Sequence, residues 1–68
     1  MELSAIVTPS SDGGYVAFNP ETGTTTQGDT IEDALANLRE ATELYLEEFP
    51  LIQSGRSLLT TFQVTAHG

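Results

Sequence analysis

Cysteine, lysine and tryptophan are missing from this chain, and arginine occurs only as Arg39 and Arg56. Without cysteine there is no disulfide framework, and the thiolate zinc sites that staple many small domains are excluded. The same absence suits a reducing compartment. Two arginines set far apart in sequence make no cationic footprint of the kind that displaces counterions from phosphate, so direct DNA or RNA binding is not expected. No apolar run approaches the ~20 residues that span a bilayer, and no basic segment leads into an apolar stretch as in a secretion signal. The expectation is a cytoplasmic protein that an anionic membrane repels. Catalytic groups are equally scarce. The lone histidine, His67, sits beside the C-terminus, where fixed geometry is rare. None of Ser4, Ser10, Ser11, Ser54 and Ser57 lies in a glycine-flanked nucleophile elbow. We read no enzyme and no cofactor.

What is abundant is acid. Ten Asp and Glu residues give a formal net charge of -8 over 68 residues. A domain of this size buries only roughly 60% of the surface its unfolded chain exposes. With disulfides excluded, self-association into a dimer or tetramer is the expected supplement to a small core.

The organising stretch is GDTIEDALANLREATELYLEEF, residues 28–49. Asp29 with Glu32, or Thr30 with Asp33, gives an N-cap and a carboxylate three positions on. Ile31, Leu35, Leu38, Thr42, Leu46 and Phe49 recur at helical spacing, flanked by Ala34, Ala41 and Tyr45, and predict one core-facing stripe. Pro50 predicts the end of the helix near Glu48 or Phe49.

Before the helix, alternation predicts strands at residues 2–8 and 15–18 joined by Ser10-Ser11-Asp12-Gly13-Gly14. Asn19 to Gly23 forms a second turn, with Pro20 presetting φ and Gly23 free to take the left-handed region. Residues 24–27 predict a threonine-rich edge strand. After the helix, residues 51–57 read as a linker whose Leu51 and Ile52 tuck under the domain. Residues 58–66 then alternate as a last strand, with Leu58, Phe62, Val64 and Ala66 on one side. The expected fold is α+β, a single domain over residues 1–68 in the order β-β-β-α-β. One helix packs on a four-stranded mixed sheet, with a right-handed crossover placing the last strand parallel to the first.

Gly14 to Phe18, Pro20 and Gly23, Thr26 to Ala34, Glu40-Ala41 and Tyr45-Leu46-Glu47 together resemble the HicB-like antitoxin domain. The resemblance covers most of the chain. Thr24 stands where family members often carry a cysteine, at what looks like a packing position. The resemblance implies the β-β-β-α-β fold, a cytoplasmic location, self-association, and neutralisation of a small basic ribonuclease toxin of the HicA kind by protein contact. Many such antitoxins continue into a DNA-binding segment. This sequence reaches Gly68 still in strand-like pattern and reads as a solitary N-terminal domain of that type. A free-standing homo-oligomeric regulatory domain without a toxin is the alternative.

The candidate partner-binding residues are Glu40, Glu43, Leu44 and Glu47. The three glutamates repel one another at three- and four-residue spacing, and Glu47 and Glu48 occupy a last turn where the helix dipole favours cations. Leu44 lies among them, away from the core stripe, as an apolar anchor ringed by charge. A plain solvated face is the competing reading. Carboxylates at this spacing without histidine or a dedicated loop make only a loose cation site, so no metal is assigned. The Asp12-Gly13-Gly14 turn joins two strands and lacks a lysine, so it reads as a hairpin turn and not a phosphate cradle.

Overall fold

The computed structural model describes residues 2–50 and 58–66. Among them, strands β1 (Ile6–Pro9), β2 (Tyr15–Asn19) and β3 (Thr24–Gly28) precede one helix, α1 (Ile31–Glu48). The strands form an antiparallel sheet in the order β1-β2-β3. Both turns follow from local chemistry. In the first, the Gly13 amide donates to the Ser10 carbonyl and the Ser10 amide to that of Gly14, with both glycines at positive φ. In the second, the Gly23 amide donates to the Asn19 carbonyl at 2.8 Å, and Gly23 takes φ +77.

The helix starts at Thr30, whose hydroxyl accepts from the Asp33 amide at 3.0 Å, so Thr30 and not Asp29 is the cap. It stops one residue before Phe49, ahead of Pro50, and the Phe49 amide still donates to the Tyr45 carbonyl. Ala17, Ala34 and Leu38 form the buried core, with Val7 and Tyr15 packed against it. Thr42 is also buried, and its hydroxyl donates to the Leu38 carbonyl at 2.8 Å, which lets a polar residue sit in an apolar stripe. The helix leans mainly on β3 and β2 and touches β1 least. Two polar pins fix it to β3: the Thr26 hydroxyl donates to the Ala34 carbonyl, and the Asn37 amide group to the Gln27 carbonyl.

Three expectations are corrected. The fold is β-β-β-α among the described residues, and the sheet is three-stranded and wholly antiparallel, not four-stranded and mixed. Residues 58–66 join no ladder and are exposed throughout, Leu58 at 88% and Phe62 at 85%. Alternation says that a segment suits a pleated surface; it does not supply the neighbouring strand whose amides and carbonyls make it one. Residues 2–5 are not strand either. The Ser4 amide donates to Glu21 Oε1 at 2.8 Å, and the Ser4 carbonyl accepts from Asn19 Nδ2 at 2.6 Å, so side chains replace ladder partners there. Finally, the predicted stripe is wider than its cover: Ile31, Leu35, Tyr45 and Phe49 stay at least 38% exposed over a sheet of three strands. The tuck of Leu51 and Ile52 falls outside the described residues.

Candidate functional site

All four candidate residues lie on the last half of α1 and all are exposed. At about 100° per residue, Glu40, Glu43 and Glu47 project opposite Leu38 and Thr42, which face the core. Leu44 borders that row, one turn after Glu40 and one before Glu48, and is 57% exposed. Helical period thus sets the four on one side of α1, with Leu44 at the edge of the glutamate row and not in its middle. Arg39 is the one basic side chain among the described residues. Its Nε lies 3.8 Å from Glu43 Oε1, and with both partners largely in water the pair contributes at most about 1 kcal/mol. The last helical turn carries no basic residue to offset Glu47 and Glu48.

Beside this face runs an open groove of about 590 Å³ between residues 2–5 and the helix, lined by Leu3, Leu35, Leu38 and Leu46 and also by Arg39 and Glu43. The groove therefore joins an apolar lining to the acidic row through Glu43. No group of three or more His, Asp or Glu residues among the described residues is placed to hold a metal ion. No described helix is long and apolar enough to cross a membrane.

Sequence reasoning missed a second surface. The register pairs Ile6 with Phe18 and Phe18 with Thr25, and pairs Thr8 with Val16 and Val16 with Gln27. Val7, Ala17 and Thr26 share the helix side, so these six side chains form the opposite face, which α1 leaves open. Its signal was β2 itself, apolar on both faces through Tyr15 and Ala17 and through Val16 and Phe18.

A family model described as a family of unknown function (DUF7387) matches residues 3–55. The chain belongs to this family. It is 48% identical over 48 residues to UPF0150 protein ssl0738 of Synechocystis sp., an alignment covering 69% of this chain and 67% of that protein. It is 57% identical over 37 residues to UPF0150 protein ssr1765 of the same organism, covering 53% of this chain and 47% of that one. The chain thus spans about two thirds of the first relative's length and under half of the second's. No solved structure matches it. None of these names states an activity or a partner.

Proposed function

We propose that this chain is an antitoxin-like binding module of the cytoplasm, which neutralises a small basic ribonuclease of HicA type by protein contact and self-associates. The observation that carries the reading is the exposed row of Glu40, Glu43 and Glu47 beside the exposed Leu44, with Arg39 as the one cation beside it among the described residues. Like charges at this spacing cost roughly 0.2 to 0.5 kcal/mol per pair, and Glu47 and Glu48 at the C-terminal turn about 0.3 to 1 kcal/mol each. The fold gains nothing from these costs, whereas a basic partner reverses their sign. The resemblance to HicB-like antitoxins supports the same partner class. A free-standing regulatory oligomer without a toxin is the second reading, favoured by the uncharged open face of the sheet.

The test is charge reversal. A Glu43→Lys, Glu47→Lys double variant keeps the fold and loses affinity for a HicA-type ribonuclease mainly through slower association, because peripheral charges steer encounter. Leu44→Ala acts instead on the dissociation rate. Surface plasmon resonance separates the two. If the double variant associates as fast and binds as tightly as the parent, the acidic face is merely solvated and the reading fails.

A further inference from the structure

We infer that the open face of the sheet, centred on Val16 and Phe18, is the surface through which a second copy of this chain docks. This rests on the self-association proposed above and names where it occurs. The argument begins with charge. Each copy carries -8, so an isologous contact made anywhere on the acidic helix face doubles up like charges. The groove beside α1 brings Glu2 and Glu43 with it. The open face brings none: Ile6, Thr8, Val16, Phe18, Thr25 and Gln27 are all uncharged.

Apolar content points the same way. A strand covered on one side only normally turns polar residues outward, yet β2 turns out Val16 and Phe18, with Ile6 of β1 opposite Phe18. Phe18 remains 36% exposed and Ile6 and Val16 half-buried, and among the described residues no helix or strand packs over them. Two such faces packed about 10 Å apart around a two-fold axis set the Val16 and Phe18 pairs of both copies against each other. Residues 58–66 are uncharged as well and more exposed. They form no helix or strand and join no ladder, whereas the sheet face is held in place by two paired ladders and loses less freedom on binding. Three strands about 4.8 Å apart and about five residues long present roughly 200 Å² per copy, well under the ~800 Å² per partner of a standard interface. The face is therefore the apolar centre of a weak dimer.

Analytical ultracentrifugation of the full chain, from about 1 to 500 µM, tests this, with folding followed by circular dichroism. The parent is expected to dimerise within that range. Phe18→Glu, which leaves the helix side of β2 untouched, raises the dissociation constant at least about tenfold. Val16→Thr keeps strand propensity and raises it less, and it decides the matter if Phe18→Glu fails to fold. Phe62→Glu and Leu44→Ala leave the constant unchanged. A parent that stays monomeric overturns self-association itself. A dimer that survives both open-face substitutions, or that is dissolved by Phe62→Glu or Leu44→Ala alone, overturns the assignment to this face and leaves self-association standing.

Discussion

Gly28 is glycine for want of space and not for an unusual backbone angle. A Cβ built there meets the backbone nitrogen of Ala34 and lies 2.7 Å from the carbonyl carbon of Asp33, both main-chain atoms of the first helical turn that cannot swing aside. The end of β3 and the start of α1 are pressed together at this point, and the Thr26 and Asn37 hydrogen bonds close the same seam. Gly28→Ala is expected to cost about 1–3 kcal/mol through overpacking, a large share of what a domain of this size possesses. Gly23 is the opposite case: nothing lies within 4 Å of an added Cβ, but φ is +77, so Gly23→Ala carries only backbone strain of about 1–2 kcal/mol. Urea denaturation checks the pair. Gly28→Ala lowers the midpoint at unchanged slope, and Gly28→Ser must lower it further, whereas Gly23→Asn recovers much of the loss of Gly23→Ala because asparagine tolerates the left-handed region. If Gly28→Ser and Gly28→Ala both match the parent, the close approach of strand and helix is not there. Gly28's role was not legible from sequence, but Thr30 was nearly as legible as Gly23: two overlapping cap pairs were visible, and the structure selects the one with Asp33.

At the scale of elements, what could be read from sequence was what local chemistry decides. The limits of α1, both turns and strands β2 and β3 follow from caps, glycines, Pro50 and alternation within a few residues. The acidic face was legible for the same reason, since period alone separates Glu40, Glu43 and Glu47 from Leu38. Residues 2–5 and 58–66 escaped because being a strand depends on a partner elsewhere. Asn19 shows how the first of these is resolved. It is fully buried; its Nδ2 donates to the Ser4 carbonyl and to Glu21 Oε1, and its Oδ1 accepts from the Thr22 amide at 2.9 Å and the Thr22 hydroxyl. A residue that reads in sequence as a turn former is in fact the clamp that ties the N-terminal segment to the β2–β3 corner. Asn19→Ala strips four hydrogen bonds from a buried site and is expected to destabilise by about 2–4 kcal/mol. Its particular signature is local: the Ser4 amide, bonded to Glu21 in the parent, loses protection from hydrogen exchange before the Ala17 amide in the core does. Equal loss at both positions would show that Asn19 supports the fold at large and holds no tether.

For the molecule as a whole, the two sides of the sheet differ in charge. On the helix side, Glu40, Glu43 and Glu47 cluster on the outer face of α1; on the other, Ile6, Val16 and Phe18 lie among Thr8, Thr25 and Gln27, six residues without a charge. The two associations proposed here therefore answer to salt with opposite sign. Binding of a basic partner by the acidic row is an attraction between unlike charges, so screening slows encounter and weakens the complex. Docking of two copies brings together bodies of -8 through an uncharged patch, so screening removes a repulsion and leaves the apolar contact intact. Raising sodium chloride from about 20 mM to about 500 mM, which shortens the screening length from roughly 20 Å to roughly 4 Å, is expected to tighten the dimer and to loosen the complex with the ribonuclease. Sedimentation gives the first constant and surface plasmon resonance the second, on the same preparation. A dimer that weakens with salt would mean that charged groups hold it, which the open face cannot supply. A partner complex indifferent to salt would mean that the acidic row is not where the partner sits. Because the two proposed faces lie on opposite sides of one sheet, the two proposals are compatible, and a dimer docked through the open face would present two acidic helix faces pointing away from each other.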